Sequence, residues 1–434
     1  MPLINPWASQ QFKDYKKLRD EFGIEEFNFT LPDAPPIFRR GIIFGHRDFQ
    51  LIYDRIINSK PFAVLTGLMP SGRMHFGHKM TIDQVVYYQN QGGDVHIAVA
   101  DIEAYASRGI SLEKAEKIAL EEYIPSYIAL GISPDKAEVY FQSKRREVKD
   151  LAWKLAKKIN MNEFLKIYGF DKEANMTHLF APLIQVGDIL HVQLDRFGGR
   201  RPTVVPVGVD QDPHMRLTRD LVERWRMFSV VLQEGKIGVF YRGESPEKVL
   251  NEVASIVGDL GFDVHLNIPY KALYASGTNW EHLRRINEAI IEYERKINEH
   301  GFFPPSATYH RLITGLNGGK MSSSIPDSAI FLTDSPEEAV RKVKRAITGG
   351  GATLEEHRKY GGNPDRCSIY EFFAYHLIED DSYLKEIYES CKSGERICGK
   401  CKKEAANLVE EWMKDFHERR ENAKDMVKEI VRYD

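Results

Sequence analysis

The chain has 434 residues, 42% hydrophobic and 11% aromatic, enough apolar material for two or three domains with a substantial core. Its net charge of -3 excludes a uniformly basic nucleic-acid binder and confines any nucleic-acid surface to a local patch. Four cysteines, no basic-then-apolar leader in MPLINPWASQQ and no apolar run of membrane-spanning length argue against a secreted disulfide scaffold and a membrane protein; a soluble cytoplasmic protein is expected.

In chain order, residues 1–60 open with a polar stretch, pass through Leu31-Pro-Asp-Ala-Pro35-Pro36 and Arg39 to Phe49, and reach a helix-like run from Leu51 to Ile57. They read as an N-terminal extension. The apolar run Pro61 to Thr66 then reads as a strand, followed by a small-residue turn of Gly67, Pro70, Ser71 and Gly72. His75-Phe76-Gly77-His78 opens an amphipathic helix carrying Ile82, Val85 and Val86 and closed by Gly92-Gly93. Strand, turn and helix start make a phosphate-binding unit, because backbone N–H groups and the helix dipole face an anion there. Two histidines three residues apart project from the first turn to the same side, where both imidazoles can donate to a phosphate. Gly77 between them leaves the backbone open to a stacked ring.

Val95 to Ala100 is the next buried strand, with Glu103 just beyond its carboxyl end. Ser111 caps a helix running to Leu130 that Pro125 must kink, and Ala137 to Phe141 is a third strand. This alternation predicts a doubly wound parallel sheet with ligand at the carboxyl ends of its strands. From Lys144 to Arg201 the pattern is helical and interrupted: Trp153, Leu155 and Ile159 mark one stretch, 171–177 a polar break, and Leu179 to His191 an apolar run. That run holds Gln185, Asp188 and His191, which need partners if buried, and Arg196, Arg200 and Arg201 follow in a basic loop. Thr203 to Gly208 is another buried strand; Asp210 at its carboxyl end suits a ribose hydroxyl or an ammonium, and a helix is expected from Met215 to Leu232.

Between 234 and 300 a strand (Lys236 to Tyr241), a helix (Pro246 to Leu260), a strand (Phe262 to Leu266) and a charged helix (Trp280 to Ile297) predict a small α/β appendage. Thr314 to Ser324 is a glycine-rich, mobile loop that delivers Lys320. The remainder is helical and charged, with Arg341, Lys342, Lys344 and Arg345 in one cluster. Cys398-Gly-Lys-Cys401 with Cys391 offers part of a zinc site, but one Cys-x-x-Cys lacks a clear second pair, and Cys367 and His376 are merely available.

His75-Phe-Gly-His78 with Lys320-Met-Ser-Ser-Ser324 resembles the paired signatures of class I aminoacyl-tRNA synthetases. GVDQDPHMRLTRD, TGGGATLEEHRKYGGNPD and RRGIIFGHRDFQ are similar to the tryptophanyl and tyrosyl branch, closer to tryptophan and of the archaeal and eukaryotic kind. The resemblance implies an α/β fold: a Rossmann-like doubly wound parallel sheet with a helical connective insertion, a small α/β insertion and an α-helical C-terminal domain. Its divisions would be an N-terminal extension at 1–60 and a catalytic domain at 61–324, with the connective insertion at 104–202 and the appendage at 234–300. A helical anticodon-binding domain would follow at 325–434.

The implied activity is ATP-dependent activation of L-tryptophan to an adenylate with release of pyrophosphate, then transfer to tRNA(Trp). ATP is a substrate with Mg2+, no metal is held by protein ligands, and the protein is a homodimer without membrane contact. By the same resemblance His75, His78, Lys320, Ser322 and Ser323 are catalytic. Gly67, Pro70, Ser71, Gly72, Gly77, Gly208, Asp210 and Met321 join them in binding ATP. Leu65, Glu103, Gln185, Asp188 and Gln211 bind the amino acid, with Glu103, Gln185 and Gln211 on its ammonium and Asp188 similar to an aspartate that accepts the indole N–H. Leu65 stands where tyrosyl enzymes place a tyrosine for the phenol hydroxyl, and a leucine cannot make that bond. Leu65 and Ala98 also replace the tyrosine and glutamine of eukaryotic tryptophanyl enzymes. The alternatives are tyrosine activation, a noncatalytic paralogue that binds tRNA or amino acid, and a small nucleotidyltransferase; the last fits the chain length poorly.

Overall fold

Short apolar runs alternating with amphipathic helices give two sheets in the computed structural model, which describes residues 14–170, 173–233, 235–277, 279–298 and 300–433. The polar N-terminal stretch up to residue 13 and residues 171–172 of the expected polar break lie outside the described residues. The strands are β1 (Glu25–Glu26), β2 (Ile43–Arg47), β3 (Ala63–Leu68), β4 (Asp94–Val99), β5 (Ala137–Phe141), β6 (Thr203–Gly208), β7 (Phe228–Gln233), β8 (Lys236–Tyr241), β9 (Val264–Asn267), β10 (Ala272–Ala275), β11 (Ser306–His310) and β12 (Val431–Arg432).

The larger sheet has the order β1-β2-β11-β6-β3-β4-β5-β12. Its centre, from β11 to β5, is parallel throughout and doubly wound, with chain order reversing between β3 and β6. Those two strands pair only at Ala63–Thr203 and Val64–Val204 and then part. Pro206, with no N–H to give a ladder, sits just where the pairing has ended. The parting opens a crevice at the carboxyl ends of both strands, where ligands of such sheets bind.

Side chains alternate between two cores. Val64, Ile97 and Val139 face one with Phe76, Met80 and Val85 of the helix Phe76–Asn90; Leu65, Ala98 and Tyr140 face the other with Val186 and Leu190 of the helix Met176–His191. Pro125 is accommodated by a wide π turn at Ala119–Tyr123 immediately before the helix Ile124–Ala129, which absorbs the missing N–H without breaking the helix.

Several elements differ from expectation. Residues 43–47, read as part of an extension, form β2, which pairs antiparallel with β11 inside the main sheet. The expected helix from Met215 to Leu232 is a helix Asp212–Trp225 followed by β7, because the chain turns extended at Arg226 and the alternating Phe228-Ser-Val-Val-Leu-Gln pairs antiparallel with β8. The appendage therefore begins before residue 234. It is a four-stranded antiparallel sheet, β7-β8-β10-β9, packed on the helices Pro246–Asp259 and Trp280–Asn298 with a core of its own. Glu294 docks it: its carboxylate takes Arg226 Nε at 2.8 Å and the backbone N–H of Met227 and Phe228 at 2.6 and 2.9 Å.

The C-terminal helices share the core of the sheet, with Val343, Phe372, Val409 and Phe416 buried beside Phe76 and Ile97. The chain's end, β12, pairs parallel with β5 at the sheet edge. The basic cluster around 341–345 is not one patch. Lys342 is buried and donates to Asp334 at 2.7 Å and to the carbonyl of Ala329 at 2.9 Å, and Arg341 is paired with Glu338. Among the described residues no helix is long and apolar enough to cross a membrane.

Candidate active site

The crevice at the sheet's reversal deepens into a cavity of about 760 Å³ lined by the ends of β3 and β6, the start of the helix Phe76–Asn90, the helix Met176–His191 and the loop carrying Lys320. One end of it is built to receive an anion. His75 is the N-cap of its helix, and its Nδ1 accepts from Gly77 N at 3.0 Å while His78 Nδ1 accepts from His75 N at 3.1 Å. The two imidazoles thus satisfy orphan donors of the helix start reciprocally. Because each Nδ1 is an acceptor, the neutral ring carries its proton on Nε2. Burial holds both rings neutral: His75 is pushed well below its usual range and His78 down to about 4, with Lys320 nearby adding to both effects. A Cβ at Gly77 would lie 2.7 Å from His75 Cε1, so the space that the glycine leaves is occupied by the folded-back His75 ring.

The Lys320 loop is tied down more than its glycines predict. Thr314 and Lys320 form a bridge, Gly315 N donates to Gly319 O at 2.6 Å, and Met321 is buried. Ser322 N donates to Ser328 Oγ at 3.1 Å, and Ser323 Oγ reaches the carbonyl of Arg73 at 3.4 Å across the mouth. Arg73 is paired in turn with Asp334, so both loops at the mouth are fastened to the same C-terminal segment. Tyr15, from the helix Tyr15–Phe22, receives a bond from Leu312 N at 2.9 Å and closes this side.

The other end is mixed, with apolar and polar walls. Leu65, Ala98 and Ile189 supply apolar walls, with Leu65 and Ala98 almost fully buried. Glu103 accepts from Gln185 Nε2 at 2.7 Å, which brings together a carboxylate and an amide from elements 82 residues apart. Asp188 is buried and already engaged: Tyr140 OH donates to Oδ1 at 2.8 Å and Gln142 Nε2 to Oδ2 at 2.5 Å. Burial raises its carboxyl to about 7 against the pull of those two donors. The amide nitrogen of Gln142 is committed to Asp188, and its Oε1 is buried without a partner.

Every residue expected at the site lines this cavity except Pro70, which is buried in the turn beside it. Gln142, Tyr140, His214 and His310 were not singled out by the sequence. His214 and His310 line the cavity with rings that burial holds neutral, His214 bonded to Tyr168 OH at 2.8 Å and His310 to Gln84 Nε2 at 3.1 Å. Gln142 follows β5 directly, just beyond a parallel strand's carboxyl end, and that position is the signal that could have found it. The one closely spaced set of metal-type ligands among the described residues, His96, Glu138 and His191, is engaged within itself and with Arg145 and Asp94 and is not part of the cavity lining.

The profile of a family described as tRNA synthetases class I (W and Y) matches residues 58–247 and 279–414. The tryptophan–tRNA ligase of Thermoplasma acidophilum is 45% identical over 424 residues, covering 98% of each chain. That of Archaeoglobus fulgidus is 46% identical over 421 residues, covering 96% of this chain and 97% of its own. The crystal structure of a tryptophanyl-tRNA synthetase from Aeropyrum pernix K1 superposes with a TM-score of 0.76 at 39% identity, covering 99% of this chain and all of its own.

Proposed function

The chain belongs to the class I tRNA synthetases of the tryptophan and tyrosine type and joins tryptophan to tRNA at the expense of ATP; from that premise we propose how its cavity does so. The tryptophan carboxylate attacks the α-phosphorus of ATP, an O–P bond forms, and the bond to the β-phosphate breaks to release pyrophosphate. A ribose hydroxyl at the tRNA terminus then attacks the activated carbonyl and AMP departs. The substrate supplies the nucleophile, so the protein's part is positioning and stabilisation of charge. Neutral His75 and His78 donate from Nε2 to the phosphates, fixed in advance by their capping bonds, and Lys320 with Ser322 and Ser323 takes the charge that gathers on the leaving pyrophosphate. Gly67, Ser71, Gly72, Gly77, Gly208, Asp210 and Met321 shape the nucleotide's bed, with Pro70 holding the turn.

ATP enters as its Mg2+ complex. The anion end offers imidazole, ammonium and hydroxyl groups, a donor set that suits a triphosphate whose ion stays on its own oxygens and there offsets their charge. Glu103, Gln185 and Gln211 hold the substrate ammonium. For the indole N–H, a donor only, we assign Gln142 Oε1 as acceptor, with Asp188 fixing the amide's orientation from behind. Leu65 in the wall gives a tyrosine hydroxyl no partner, which works against the smaller substrate.

The region from 325 onward serves as the anticodon-binding part, and the protein works as a homodimer in the cytoplasm, where ATP and tRNA are at hand. The observation that carries this reading is the junction, within one cavity, of a neutral histidine pair and Lys320 with an apolar end lined by Gln142, whose Oε1 has no partner. Lys320→Ala tests it. Pyrophosphate exchange should fall about 100- to 1,000-fold while tryptophan binding by calorimetry stays within twofold; equal losses in both would remove Lys320 from the charge-stabilising role.

A further inference from the structure

All four cysteines of the chain line one small pocket, of about 10 Å³, in the C-terminal helical region. Cys367 precedes the helix Ser368–Phe372, Cys391 ends the helix Asp381–Lys392, and Cys398 and Cys401 lie one turn apart at the start of the helix Cys398–Ala423. None is in a disulfide; three are buried and Cys398 is half-buried. The surroundings are shaped for sulfur. A Cβ at Gly350 would lie 2.4 Å from Cys398 Sγ and one at Gly362 2.7 Å from Cys391 Sγ, so glycines stand where side chains would displace two of the thiols. Arg396 Nε donates to Cys401 Sγ at 3.1 Å.

We propose that Cys367, Cys391, Cys398 and Cys401 together bind a thiophilic metal centre, a site separate from the catalytic cavity. Metal binding would release the thiol protons, and the ion's charge would then offset the four thiolates in this buried setting. A Cys-x-x-Cys pair at a helix start joined by two further cysteines is the ligand set of tetrathiolate sites, which take a zinc ion or an iron–sulfur cluster. Among the described residues no three of these sulfurs lie within 4.8 Å of one another. A single ion would draw them inward, whereas a cluster would sit between them. Bound metal would clamp two short helices to the long helix Cys398–Ala423, whose Arg420 donates to the carbonyl of Glu121 at 2.7 Å beside the catalytic sheet.

The test is the metal content of the full chain, purified without chelator and under anaerobic conditions. About one zinc per chain, or about four irons with equal acid-labile sulfide and visible charge-transfer absorption, is the expected result, and the two arms separate ion from cluster. In either case thiol reagent should modify the cysteines only after the metal is stripped, and stripping should lower Tm by several degrees, reversed by resupplying zinc, or iron with sulfide. Cys398→Ser, at the most accessible ligand, should lose most of the metal and lower Tm. A chain with substoichiometric metal and four thiols that titrate freely in the folded protein overturns the proposal without recourse to any variant.

Discussion

Replacing Gln142 with methionine distinguishes two acceptors for the indole N–H. The side chains are close in volume and Gln142 is 1% exposed, so the exchange removes polar atoms from a buried site with little change of packing. It deletes the buried, unpaired Oε1 of a residue that lines the cavity and the Nε2 that donates to Asp188 at 2.5 Å. If Oε1 receives the indole, the bound substrate is left with a buried donor and no acceptor, a cost of about 1–3 kcal/mol, or roughly 5- to 150-fold in affinity at 1.4 kcal/mol per factor of ten. The assay is pyrophosphate exchange at saturating ATP with tryptophan titrated: KM for tryptophan should rise within that range while KM for ATP stays put. A benzothiophene analogue of tryptophan, which lacks the N–H, should be discriminated against by the native protein and accepted about as well as tryptophan by the variant. The reasoning fails if the tryptophan KM stays within threefold or falls, because methionine frees an oxygen of Asp188, and a retained affinity would make that carboxylate the direct acceptor.

Four further outcomes follow from the structure. Burial raises the Asp188 carboxyl from its ordinary 3.8 to about 7, so between those pH values the folded chain holds a proton that the unfolded chain has released. Its contribution to stability is therefore most favourable in acid and is lost as pH rises through 7; thermal unfolding of Asp188→Asn from pH 5 to 8 should lack that component. The tryptophan KM of the native chain should fall over the same rise as the carboxylate forms, whereas His78, held near 4, should give no inflection between pH 5 and 8. Gly77→Ala puts a Cβ 2.7 Å from His75 Cε1; the ring should leave its capping position, costing about 1 kcal/mol of stability and slowing exchange at least tenfold. Glu294→Ala strands the buried Arg226 and two backbone donors, and denaturant unfolding followed in the appendage should show a loss of about 3–5 kcal/mol.

The parts of the site that could be read in the sequence are those whose chemistry is local. Two histidines flanking a helix start, a glycine turn after an apolar strand and an acid at a strand end each act through near neighbours, so spacing alone conveys them. Gln142 and Asp188 meet 46 residues apart, and the unpaired amide oxygen exists only because of that meeting. The four cysteines likewise become one group only when two short helices fold against a long one. In the fold, the strand β7 was hidden inside an apparent helix because Met215 to Leu232 carries apolar residues throughout, and the turn at Arg226 uses neither glycine nor proline. The two-residue strands β1 and β12 owe their existence to the edges they cover. Lys342, one of several charges on a basic helix, is buried because Asp334 and the carbonyl of Ala329 wait beneath it, a tertiary fact with no local signature.

The most direct test of the central claim is ATP–pyrophosphate exchange by the purified full chain with Mg2+ and tryptophan, tyrosine or phenylalanine in turn. Exchange that depends on tryptophan and is at background with the other two is the expected result. Exchange with tyrosine, or none with any of the three, would contradict the assignment of the cavity to tryptophan activation.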